Sequence, residues 1–332
     1  MNRPLTRRVL LAAGAAGAAA SAVPTVFAQA QPDWPRAAPV RLVVPFTAGS
    51  GTDILARLLA VKLTTALGQQ VLVENRPGAG GTIGAAMVAR APADGYTLLI
   101  HSSAHVVNPA LFPRLPYDTL RDFVGITPLA SLPNVLVVNP ARGFRDVADL
   151  ITQARARPGA FQYASAGIGS ATHMNAAQFR VAAGIQALHV PFRGTPEALR
   201  ETIAGRIDWF FSPLVSALPL IRDGQLQALA VGTTARSPVL PQVPSVVETA
   251  GLRDAAYTFW VGLFAPARTP RPVVDRLHAE TLSALAMTDV RERLDGLGAT
   301  PMPKPQAAFE RFLEEETAAA ARLVQAANIR VE

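Results

Sequence analysis

"VVPFTAGSGTDILARLLA", residues Val43 to Ala60, passes from a β-branched run through a loop of small residues into an amphipathic run that begins at an acidic residue. That order reads as strand, loop and helix. Gly49 and Gly51 lie among Thr47, Ser50 and Thr52, so the loop's backbone N–H groups are open to approach, and the helix behind it adds the positive end of its dipole. Two later stretches, "YASAGIGSATHM" (163–174) and "HVPFRGTPEAL" (189–199), repeat this design. Any one of them is explained by ordinary helix capping. Three extended loops of glycine and hydroxyl residues point instead to an anion site built from several helix starts.

Outward from these loops the chain alternates short β-rich runs with longer amphipathic ones. This is the mark of an α/β fold with a mostly parallel sheet covered by helices. Strands are expected at 41–45, 71–74, 96–101, 135–139, 161–164, 187–191, 208–211, 226–231 and 258–264. Helices are expected at 53–67, 82–89, 147–156, 172–183, 196–204 and 215–223, with the carboxyl end almost all helix from Arg271. Gly and Pro mark the joints, among them "RPGAGG" (76–81). Two Pro-rich stretches, 115–133 and 232–251, break the alternation and read as two crossings between lobes. The expected division is residues 36–132 with 233–332 in a discontinuous first lobe and 133–232 in a second, with a ligand cleft between them.

Arg3, Arg7 and Arg8 precede an apolar run and small-residue exits, so residues 1–28 read as a secretory signal. The pair Arg7-Arg8 leaves general and twin-arginine export both open. The formal charge of +7 includes those three arginines, so the mature chain carries about +4. No dense basic cluster interleaved with aromatics is present, which argues against nucleic acid as a partner. With no cysteine there is neither a disulfide nor an acylated anchor, and the expected product is a periplasmic monomer.

Other chemistries fit poorly. A dinucleotide fingerprint needs a third glycine, but "GSGTDI" and "GAGGTI" end on Ile54 and Ile83, and neither carries a P-loop ending. A hydrolase could be drawn on Ser165, Asp208 and His278, in that chain order, but "YASAG" lacks the first glycine of a nucleophile elbow. His101 and His105 have metal spacing on a helix, yet His101 ends an expected strand and no third ligand is near. Neither a cofactor nor a metal is expected.

"PFTAGSGTDILARLLA", "GQQVLVENRPGAGGTIGAAMVARAPADGYTLLI", "YASAGIGSATHMNAAQF", "HVPFRGTPEAL" and "WVGLFAPARTP" together resemble the Bug (Bordetella uptake gene) family, the extracytoplasmic solute receptors of tripartite tricarboxylate transporters. The resemblance runs from about Pro39 to the end. It implies a two-lobed periplasmic-binding fold of the Venus flytrap kind, type II, with two crossings, a small organic acid as ligand, and transporter subunits in the membrane as partner, with a ligand-sensing module for a membrane sensor as the alternative. It also implies that a carboxylate is held by amides, hydroxyls and waters from three loops. These are Phe46, Thr47, Ala48, Gly49, Ser50, Thr52 and Asp53; Ser165, Ala166, Gly167, Gly169, Ser170 and His173; and Phe192, Arg193, Gly194 and Thr195. Ser102 and Ser212, just past two further strands, complete the candidate set. Asp53 reads either as the residue that fixes the helix start or as a ligand contact through water, and His173 as either a cap or a contact. Thr47 and Phe192 depart from the family's usual proline and tyrosine. Arg193 replaces its lysine, and reads either as a clamp on a second carboxylate or as a side chain in solvent at the rim.

Overall fold

The computed structural model describes residues 34–249 and 251–330, so the signal segment lies outside the described residues. Among the described residues, eleven strands and ten α-helices follow in chain order: β1 (Val40–Val44), α1 (Gly51–Leu67), β2 (Val71–Asn75), α2 (Thr82–Ala89), β3 (Thr97–Ser102), α3 (Ala104–Leu111), β4 (Phe123–Leu132), β5 (Asn134–Val138), α4 (Val147–Ala156), β6 (Phe161–Ser165), α5 (Ala171–Ala183), β7 (Ala187–Pro191), α6 (Thr195–Ile203), β8 (Trp209–Pro213), α7 (Leu214–Arg222), β9 (Gln227–Val231), β10 (Phe259–Pro266), α8 (Arg271–Ala286), α9 (Thr288–Gly296), β11 (Thr300–Pro301) and α10 (Gln306–Ala326). They build two sheets, ordered β11-β4-β10-β3-β1-β2 and β7-β6-β8-β5-β9.

Each sheet follows one plan. Three parallel strands are joined by helices, and one antiparallel strand, the first after the chain crosses into that lobe, is inserted beside them. In the first lobe β2, β1 and β3 run parallel, and β10 enters antiparallel between β3 and β4. In the second, β7, β6 and β8 run parallel, and β5 enters antiparallel between β8 and β9. The carboxyl ends of β1, β6 and β7 therefore deliver the three glycine loops to a common cleft, where α/β sheets place their ligands.

β4 was not expected, because it lies within the Pro-rich stretch 115–133 that reads as a crossing. Proline survives there because Pro128 faces Gly262 at a register shift, where the ladder is already interrupted. The outward crossing thus contracts to Pro133 between β4 and β5. The return crossing also moves. Leu240 and Val243 are buried in one core of the second lobe, and Val246, Leu252 and Ala255 in the other, so the chain reaches the first sheet only at Phe259. Ser245 fixes this segment: its Oγ accepts from Val247 N at 3.4 Å, and its amide donates to Glu248 Oε1 at 2.8 Å. Ser245→Ala is expected to destabilise the protein by about 1 kcal/mol, measured by urea denaturation, with affinity for a cleft ligand unchanged.

The last helix ties the lobes together. Phe309 is buried against the bare backbone of Gly125, where a Cβ would lie 2.7 Å from its ring. Further along, Ala320 and Val324 join a cluster with Val107 and Leu111 of α3 and Met174 of α5.

Candidate functional site

Two of the three loops turn their amides inward by one shared device. In the first lobe Ser50 caps α1: its Oγ accepts from Asp53 N, and the Asp53 carboxylate reaches back to accept from Gly49 N at 2.9 Å. In the second, Ser170 caps α5: its Oγ accepts from His173 N, and His173 Nδ1 accepts from Gly169 N at 3.1 Å. Gly49 and Gly169 hold φ of 82° and 77°, the left-handed conformation that glycine adopts without strain. Asp53 and His173 are therefore matching frame residues.

Asp53 is almost wholly buried, and its other partners are Arg57 Nε at 3.0 Å and Asn75 Nδ2 at 2.9 Å. Burial pushes its pKa up, but hydrogen bonds from Arg57, Gly49 and Asn75 outweigh that and hold it below the usual carboxylate value.

The second loop is saturated further. Ala166 N donates to Thr172 Oγ1 at 2.9 Å, and Gly167 N to Ser165 Oγ at 3.1 Å. Ser165 is buried, and its Oγ lies 2.6 Å from His189 Nε2. The Ser165, Asp208 and His278 triad is not assembled. Asp208 accepts from Gln162 N and pairs with Arg142, while His278 Nε2 sits 3.0 Å from Lys304 O in the first lobe.

The lobes touch along the cleft. Thr47 Oγ1 donates to Glu197 Oε2 at 3.3 Å, and Ser216 Oγ to Gly49 O at 3.2 Å. Three glycines make room for this approach. A Cβ on Gly80 would lie 2.3 Å from Ile168 O, one on Gly194 1.8 Å from Thr47 Oγ1, and one on Gly51 3.3 Å from Pro213 Cβ.

Between the lobes lies a cavity of about 470 Å³. Phe46, Gly78–Gly81 and Phe112 line it from the first lobe, and Ala166, Gly167, Ile168, Pro191, Phe192, Arg193 and Glu197 from the second. The walls are mostly apolar. The polar groups are backbone, plus the exposed Arg193 and half-buried Glu197 on one side.

Of the candidate residues, Phe46, Ala166, Gly167, Phe192 and Arg193 come together on this cavity. Thr47, Gly49 and Gly194 stand at the lobe contact. Ala48 is exposed, while Ser50, Thr52 and Thr195 are buried at helix starts and Gly169, Ser170 and His173 in the second loop. Ser102 and Ser212 are buried, with Ser102 Oγ accepting from Ala104 N and Ser212 Oγ donating to Pro213 O.

Sequence reasoning passed over Gly78–Gly81, Phe112, Ile168, Pro191 and Glu197. The signal for the first was present: "RPGAGG" reads as a joint, but Gly78, Ala79, Gly80 and Gly81 all take positive φ so that the backbone can meet the opposite lobe. His101 stands behind this wall with its ring edge-on to Phe46 at 5.6 Å, and burial pushes its pKa down to about 3. It is a neutral packing group. His105 lies beside it, 5.1 Å between ring centroids, and among the described residues no cluster of three or more His, Cys, Asp or Glu could hold a metal.

Residues 55–329 match the family described as "Tripartite tricarboxylate transporter family receptor". The chain belongs to this family. Protein BugT of Bordetella pertussis is 34% identical over 282 residues, covering 84% of this chain and 86% of BugT, which places the chain among the Bug receptors. An R. palustris structure with adipate superposes with a TM-score of 0.86 at 33% identity, covering 90% of this chain and 99% of that one. MatC from Rhodopseudomonas palustris with bound malate gives 0.82 at 33% identity, covering 87% and 99%. Both neighbours hold small carboxylates, and the two-lobed receptor fold is common to all three structures. Receptors of this family are periplasmic solute-binding proteins.

Proposed function

We propose that this receptor takes a small organic acid into the interlobe cavity and delivers it, as a monomer, to the membrane subunits of a tripartite tricarboxylate transporter. The observation that carries the reading is the cavity itself. It has apolar walls from Phe46, Phe112 and Phe192, glycine backbone at the lobe contact, and Arg193 with Glu197 on one side. Its volume of about 470 Å³ suits an acid of the size of malate or adipate, which the two neighbouring structures hold.

The energetics fit modest affinity. Hydrogen bonds to a charged group contribute on the order of 1.5 to 3 kcal/mol each, and micromolar binding needs roughly 8 kcal/mol. A few amides and Arg193 supply that once the lobes exclude water. The amides that serve are those the loops leave over. Gly49, Ala166, Gly167 and Gly169 have donated theirs internally, whereas the start of α6 at Gly194 and Thr195 follows the cavity wall directly.

The test is thermal denaturation against a panel of mono-, di- and tricarboxylates, in which a bound acid raises the melting temperature by mass action. Failure of every acid in the panel would count against the proposal. Within it, Arg193→Ala is expected to weaken a diacid by roughly tenfold, about 1.4 kcal/mol, and a monoacid much less. No loss for either class would place Arg193 outside the contact, and equal losses would put it on the carboxylate that both classes share.

A further inference from the structure

The second lobe carries another cavity, of about 590 Å³, on the α5 side of β6 and the edge strand β7. Tyr163, His173, Arg180 and His189 line it, and it is closed on one side by Ile329 and Arg330 after α10. No Asp or Glu is among the described lining residues. His173 and His189 stack face to face, 3.9 Å between centroids and 7° between planes, and Tyr163 continues the stack at 4.9 Å from His189. Arg180, two turns after His173 on α5, donates from Nη1 to Tyr163 Oη at 3.2 Å. Its Nε is buried without a partner among the described residues.

The hydrogen bonds assign both imidazole tautomers. Gly169 N donates to His173 Nδ1, so the ring proton sits on Nε2. Among the described residues His189 Nε2 is the one acceptor paired with the Ser165 hydroxyl, so the serine proton goes to Nε2 and the His189 proton sits on Nδ1. Burial, helped by the charge of Arg180, keeps both rings neutral at pH 7, His189 down at about 4 and His173 well below the usual value. The cavity thus combines two ring N–H donors and a guanidinium that no carboxylate neutralises among its described lining.

We propose that this cavity is a second ligand site, separate from the cleft, for a small oxyanion held by Arg180, His173 and His189. A donor set built on the Arg180 guanidinium, with no acid among the described lining, matches the several acceptor oxygens of a phosphate or sulfate. Ile168 lines this cavity and the cleft alike, so one loop forms the wall between the two sites.

The test is NMR of the histidine side chains in the full-length mature receptor, titrated with inorganic phosphate and then sulfate at constant pH and ionic strength. The expected result is a saturable shift of the His173 and His189 resonances that persists when the cleft is filled with the acid giving the largest thermal shift. Arg180→Gln is expected to weaken it at least tenfold, and Arg180→Lys less. The proposal is overturned if neither anion shifts these resonances, if the cleft acid abolishes the shift, or if Arg180→Gln leaves it unchanged. Should Arg180→Gln fail to melt cooperatively, the wild-type titration with and without the cleft acid decides alone.

Discussion

Gly80→Ala is expected to weaken binding of the preferred acid by roughly 10- to 100-fold, about 1.4 to 2.7 kcal/mol, while the protein still folds. The backbone at Gly80 has φ of 62°, and an added Cβ would lie 2.3 Å from Ile168 O on the opposite lobe. The left-handed conformation alone costs a side chain roughly 1–2 kcal/mol, and that cost is the same whether the lobes are apart or together. The clash arises where the two lobes touch, so it disfavours that contact relative to an arrangement with the lobes apart. A ligand that needs closure must work against it, so the loss appears in affinity. Gly68 supplies the control: it also has φ of 62°, but nothing lies within 4 Å of its Cβ position. Gly68→Ala should cost similar stability in urea and leave the acid's affinity, measured calorimetrically, unaltered. Equal affinity in the two variants would show that the Gly80 contact with Ile168 plays no part in binding.

Asp53→Ala is expected to cost about 3 kcal/mol of stability. It leaves Gly49 N and Asn75 Nδ2 without their carboxylate acceptor and frees Arg57 from its partner. Asp53→Asn keeps the shape but loses the charge, and should fall between the two. The pH dependence follows from the lowered pKa in the folded state. A carboxylate with a depressed folded pKa binds more protons when unfolded, so its contribution is complete above the unfolded value of roughly 3.9 and disappears as pH falls through the folded value. The gap between wild type and Asp53→Asn in urea should therefore be constant at neutral pH and narrow below about pH 4. A gap that held constant into strong acid would contradict the assignment of the carboxylate as the frame of this loop.

What the sequence disclosed and what it hid divide along physical lines. Strand and helix runs such as 147–156 and 187–191 were legible because their periodicity is local. β4 was hidden because Pro128 is tolerated only at a register shift with β10, a partner more than 130 residues away in the chain. α3, which carries Pro109 in its last turn, has no side-chain cap to announce it. At the site, the loops around Phe46, Ala166 and Phe192 were recognisable as strand-to-helix junctions. Which of their amides were already committed was not, since that depends on Asp53 and His173 reaching back from the third helical position. Glu197 and Phe112 come to the cavity only through the packing of one lobe on the other.

The central claim, a carboxylate held between the lobes, is tested most directly by backbone amide NMR of the mature protein titrated with the acid that gives the largest thermal shift. The account predicts saturable changes concentrated at Gly80, Gly194 and Thr195, on both sides of the cavity. Saturation without change at these amides, or with changes confined to one lobe away from the cavity, would contradict it.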